Sequence, residues 1–118
     1  YVILKPAALT IGPNPLQNFI YVILTMLFFV GLTEELLFRG LLQGKLEKII
    51  GRWQAIQISS LLFGLFHIGW LNPIEVVFAY FAGVIFGYMY SKTKSLLTPV
   101  LAHGFGNIML YTLALILV

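Results

Sequence analysis

Cysteine is absent from the 118-residue chain, which removes disulfides, iron–sulfur clusters and thiol catalysis together. Charge is scarce as well: 9% of the residues are Asp, Glu, Lys or Arg, against about 25% in an average soluble domain. With 60% hydrophobic residues and a mean hydropathy of +0.98, the composition excludes an ordinary water-soluble globule. An aromatic content of 15% excludes a disordered tail, since such segments are poor in aromatics. Also missing is a charged leader with a short apolar core and a small-residue cleavage site. The first residue is Tyr1 rather than Met, so the expectation is a core cut from a longer polypeptide with further spans upstream.

The few charges are clustered. Residues 6–33, 53–74, 76–91 and 95–118 carry none, and a bilayer-spanning helix needs about 20 mostly apolar residues. The reading is an all-α, multi-pass transmembrane helix bundle with four membrane helices, resident in a plasma membrane of the bacterial or archaeal kind. Residues 1–15, with Pro6, Gly12, Pro13, Asn14 and Pro15, read as an entry loop, and residues 16–118 as the core. Segment A runs from Leu16 to Ile50 and is expected to break around Gly31-Leu32-Thr33, with Thr33 capping a new helix. Segment B covers Trp53 to Trp70, a tryptophan at each end as in an interfacial belt. Segment C runs from Pro73 to Ser91, with Pro at its N-terminus and Glu75 complementing the positive helix end. Segment D runs from Leu96 to Val118. Gly83 and Gly87 on segment C give a spacing that lets another backbone approach closely, read here as packing within the chain. Lys45, Lys48, Arg52, Lys92 and Lys94 fall in the A–B and C–D connections, against Lys5 alone in the N-terminal stretch and none in the B–C connection, which puts the A–B and C–D connections on the cytoplasmic side. The net charge of +3 is thus a topology signal and no argument for nucleic acid; the partner is the bilayer.

Polar groups inside the apolar runs each need a partner or a task. They are Glu34, Glu35 and Arg39 on A, His67 on B, and His103 with Asn107 on D. Glu35 and Arg39 stand four apart and share a helix face, whereas Glu34 lies about 140° round the helix from Arg39. Glu35 therefore reads as neutralised and locked in place, and Glu34 as a carboxylate without a local cation, the kind of group that serves as a general base near neutral pH. His103 and Asn107 share a face of D, and Phe63 lies one turn from His67 on B. Taken singly, either histidine reads as a hydrogen-bonded helix residue and Asn107 as glue between helices. Depth groups them: at 1.5 Å per residue, Glu34 lies ~16 Å from Lys45, His67 ~21 Å from Trp53, and His103 and Asn107 ~13 and ~20 Å from Lys94. Three helices thus deliver a carboxylate, two imidazoles and an amide to one layer.

That set supports two chemistries. Glu34, His67 and His103 are a usable zinc ligand set with a fourth position open for water. Alternatively, Glu34 and one histidine bind and deprotonate water directly, while the other histidine and Asn107 stabilise the oxyanion. Either leads to hydrolysis of an acyl bond. Ser59 and Ser60 read as backbone-bonded helix serines.

Glu34-Glu35-Leu36-Leu37-Phe38-Arg39-Gly40, Phe63-Gly64-Leu65-Phe66-His67 and His103-Gly104-Phe105-Gly106-Asn107 resemble, in order, the three signature motifs of the type II CAAX prenyl endopeptidase family. This is the CAAX-processing and bacteriocin-processing, or abortive-infection, family. The resemblance spans about residues 20–115 and implies a multi-pass intramembrane endopeptidase acting on CAAX-type, prenylated or other membrane-associated peptides. It implies Glu34 as the water-activating base, His67 as its partner at the water or metal, and His103 with Asn107 polarising the scissile carbonyl. Glu35 and Arg39 would be positional. Set against this are a non-catalytic membrane partner such as an immunity factor, a proton-coupled carrier using Glu34, and a haem protein with His67 and His103 as axial ligands.

Overall fold

The computed structural model describes residues 14–117, and every described element is helical. Asn14 starts the first helix: its side-chain oxygen accepts from the backbone N–H of Leu16 at 3.1 Å and of Gln17 at 3.3 Å. Pro15, at the first helical position, has no N–H to satisfy. The entry loop read over residues 1–15 lies, except for its last two residues, outside the described residues.

From there the backbone stays helical to Ile50. α1 (Pro15–Leu24), α2 (Leu32–Glu35) and α3 (Gly44–Ile50) are joined by two π-helical stretches, Thr25–Gly31 and Leu36–Gln43. In these stretches the backbone N–H reaches back five residues, from Leu32 to the Leu27 carbonyl and from Gly44 to that of Arg39. The break expected at Gly31-Leu32-Thr33 therefore does not occur, and Thr33 is an exposed residue within the helix rather than a cap. Gly31 has a packing role instead. A Cβ there would lie 3.3 Å from both the Val100 carbonyl oxygen and the Gly104 nitrogen on the last helix, α6 (Leu97–Leu117). The widened turn lets the two backbones approach.

Gly51, at φ 88°, reverses the chain into α4 (Arg52–Phe66). Segment B does not continue as one helix to Trp70: it tightens into a 3₁₀ turn over His67–Trp70 and ends at Leu71, φ 55°. His67 is thereby the residue that terminates α4, placed at the tip of the helix rather than within it. Trp53 is exposed and stacks on Tyr88, ring centroids 5.9 Å apart; the Trp70 side chain lies outside the described residues. Asn72 caps α5 (Pro73–Thr93) through a 3.0 Å bond from the Ile74 N–H, with Pro73 and Glu75 in the first turn. Lys94 closes the helix in the left-handed conformation.

The polarity of the fold is inverted. Glu35, Arg39, Gln43, Ser59 and Ser60 are completely buried, whereas Phe29 is 73% and Phe105 62% exposed, together with Phe28, Phe81 and many leucines. A water-soluble protein does not expose so much apolar surface; a lipid-facing one does. Among the described residues two helices are long and apolar enough to cross a membrane, Leu16–Ile50 and Pro73–Thr93, rather than the four expected.

The Gly83–Gly87 spacing serves packing within the chain. A Cβ on Gly83 would meet Arg39 Nη2 at 3.1 Å and Phe63 Cδ1 at 3.2 Å, and one on Gly87 would meet Gln43 Oε1 at 2.6 Å. Gly87→Ala is accordingly expected to destabilise the chain by about 1–3 kcal/mol, as overpacking does. Gly106→Ala, where a Cβ meets nothing within 4 Å, should be neutral. Thermal melting of the two variants in the same detergent checks the difference.

Candidate active site

The site grows from a four-residue repeat on the first helical run: Glu35, Arg39, Gln43 and Glu47. An α-helix overshoots a full turn at four residues, while a π-turn is wider and falls short. A run that mixes the two keeps every fourth side chain close to one line, and that line faces α5. Arg39 Nη1 donates to Glu35 Oε1 at 3.1 Å with both side chains fully buried, and Nη2 donates to the Gly83 carbonyl at 2.7 Å. Its guanidinium also lies 4.6 Å from the centroid of the Phe63 ring and 5.7 Å from that of Phe86. One turn on, Gln43 Nε2 donates to the Gly87 carbonyl at 2.8 Å and to Glu47 Oε1 at 3.1 Å, and its Oε1 accepts from the Ser59 hydroxyl at 3.2 Å. Glu47 in turn pairs with Lys94 at 3.1 Å, which brings the A–B and C–D connections to one end of the molecule.

At the other end of this spine the histidines converge. His103 Nδ1 lies 2.7 Å from the same Glu35 Oε1 that accepts from Arg39. An ionised carboxylate beside a guanidinium only accepts, so Nδ1 carries the proton in this contact, and Nε2 faces Glu34 Oε2 at 3.7 Å. Glu34 Oε2 is buried and has no hydrogen-bond partner, nor does Glu35 Oε2. The carboxylate read as having no local cation on its own helix therefore looks onto an imidazole delivered by α6. His67 Nδ1 is held by the Phe63 carbonyl at 2.8 Å, the backbone anchoring expected of a lone helix histidine, which leaves its Nε2 free. The His67 imidazole is also within electrostatic reach of Glu34, and Phe63 packs edge-on to it at 4.8 Å. Asn107 is half-buried one turn beyond His103 on α6.

Glu34, Glu35, Arg39 and His103 are thus brought together by direct contacts, His67 stands close by, and Asn107 shares the His103 face. Among the described residues no group of three His, Asp or Glu side chains is placed to hold a metal ion. Glu34, His67 and His103, the zinc set read from the sequence, thus do not stand together as a ligand cage.

Two contributors escaped the sequence reading. Gln43 continues the Glu35–Arg39 spacing and matches the Gly83–Gly87 spacing opposite, so its signal lay in combining two patterns read separately. Phe86, stacked on His103 at 4.9 Å and 16°, has no local signal, because its partner comes from another helix.

The site is thus a buried carboxylate facing imidazoles in an otherwise apolar helical assembly. The family model for type II CAAX prenyl endopeptidases, Rce1-like, matches residues 16–109, and the chain belongs to that family. The family is one of membrane-integral proteases. No curated protein and no solved structure matches the chain.

Because Arg39 joins Glu35, Gly83 and two aromatic rings, removing it leaves a buried carboxylate without its cation. Arg39→Ala is expected to cost about 3–5 kcal/mol, as breaking a buried pair does, while exposed Arg52→Ala should cost almost nothing. Chemical or thermal denaturation in detergent distinguishes the two.

Proposed function

We propose that the chain is an intramembrane endopeptidase that hydrolyses peptide bonds of prenylated, CAAX-type or other membrane-associated substrates with water activated by Glu34. The observation that carries this reading is the gap between Glu34 Oε2 and His103 Nε2: 3.7 Å, with a buried carboxylate oxygen that has no hydrogen-bond partner. In the proposed reaction a water enters beside Glu34 and is oriented by the free Nε2 of His67. Glu34 takes one proton, and the resulting hydroxide attacks the scissile carbonyl carbon. His103 enters this reaction with a proton on each ring nitrogen: Nδ1–H stays on Glu35, and Nε2–H, with the Asn107 amide, receives the developing oxyanion. Collapse of the tetrahedral intermediate breaks the C–N bond, and the leaving amine takes the proton held by Glu34. Glu35 and Arg39 touch no reacting atom and act by fixing His103. α4 and α6 join the other two apolar helices in a multi-pass bundle, with the end bearing Lys94, Lys45 and Lys48 in the cytoplasm.

Cleavage of a membrane-tethered CAAX-type peptide by purified protein in detergent tests this reading, with a leader-type peptide beside it. Glu34→Gln should abolish cleavage while leaving the melting temperature unchanged, and Asn107→Ala should lower kcat by about 10²–10³-fold, the usual cost of an oxyanion donor. A zinc chelator added to the wild type reads whether a metal takes part. Cleavage that persists in Glu34→Gln would contradict the mechanism.

A further inference from the structure

The His103 ring is set by two torsions, about Cα–Cβ and Cβ–Cγ, and one hydrogen bond to Glu35 restrains only a combination of them. A concerted change of both keeps Nδ1 near Glu35 and swings Nε2 away from Glu34. What occupies the space on either side of the ring therefore decides where Nε2 points. Phe86, on the face of α5 that also carries Gly83 and Gly87, lies nearly parallel to the imidazole, with ring centroids 4.9 Å apart and planes 16° apart. Phe63 approaches the same imidazole edge-on, at 5.6 Å and 85°. A parallel ring and a perpendicular ring together define a plane. Gly83 and Gly87 let α5 come near enough for this, since each lacks the Cβ that would meet Arg39 or Gln43.

Resting on the hydrolase reading above, we infer that Phe86 is a positioning residue that holds the plane of the His103 ring so that Nε2 faces the Glu34 carboxylate. An aromatic face suits this position for a second reason. Its negative π-surface complements the positive charge that His103 carries when it receives an oxyanion, and an aliphatic side chain of similar volume has no such surface. Arg39, 5.7 Å from the Phe86 centroid, steadies the same ring and so links it to the polar spine.

The chain has two histidines, so ¹⁵N-histidine NMR of detergent-solubilised protein resolves both rings, with His67→Gln assigning them. Wild type and Phe86→Tyr, which keep the aromatic face, should show one His103 species with Nδ1 protonated. Phe86→Leu, and Phe86→Met as a second aliphatic variant, should show an averaged or doubled His103 signal while His67 is unmoved. In a cleavage assay the aliphatic variants should lose kcat by about 10²-fold, the cost of a small misplacement, with KM within twofold of wild type. A His103 signal that stays fixed in folded Phe86→Leu or Phe86→Met overturns the inference. The nitrogen spectrum needs no substrate, so a wild-type chain that cleaves nothing would count against the protease reading and leave the ring measurement to decide this one.

Discussion

The structure depends on one oxygen atom. Glu35 Oε1 accepts from Arg39 Nη1 and from His103 Nδ1 at once, and so joins the first helical run to α6; Arg39 carries the connection on to α5 through the Gly83 carbonyl. Three helices meet at a fully buried ion pair, in surroundings where an unpaired charge would be expensive. The geometry of Glu34 follows from that arrangement. With Arg39 committed to Glu35, the neighbouring carboxylate faces His103 and His67 without a permanent cation. Two adjacent glutamates are thereby divided into one held by a cation and one that is not.

The polar spine also explains the unusual backbone. Glu35, Arg39, Gln43 and Glu47 line up because the helix is π-wound across Leu36–Gln43, and the glycines opposite expose the carbonyls that Arg39 and Gln43 need. In lipid, burying polar groups inside and apolar groups outside is the consistent solution, and the exposed Phe29 and Phe105 are its counterpart. The first π-stretch, Thr25–Gly31, does the equivalent work for α6, bringing Gly31 against Val100 and Gly104.

Much of this was legible in the sequence, because it follows from local periodicity. The helical class, the long first segment, Pro73 at a helix start, the Glu35–Arg39 pair and the close packing at Gly83 and Gly87 are all functions of spacing. The errors have a common cause. Gly31-Leu32-Thr33 looked like a break because glycine and a capping residue signal one locally, yet the helix continues by widening, which only its contact with α6 explains. Segment B looked like one helix to Trp70 because its apolar run is continuous, yet it tightens at His67, whose ring nitrogen bonds the Phe63 carbonyl. Phe86 was invisible for the same reason: its role is defined by a ring on another helix. Arrangements set by tertiary contact leave little trace in a single segment.

The central claim is that Glu34 and Glu35, neighbours in sequence, have separate tasks. The direct measurement is melting temperature and peptide cleavage on the same preparations of Glu34→Gln and Glu35→Gln. The account predicts that Glu34→Gln melts like wild type and is inactive, while Glu35→Gln melts lower because Arg39 loses its counter-charge. If the two substitutions lowered stability equally and left the same residual activity, the division of labour between the carboxylates would be contradicted.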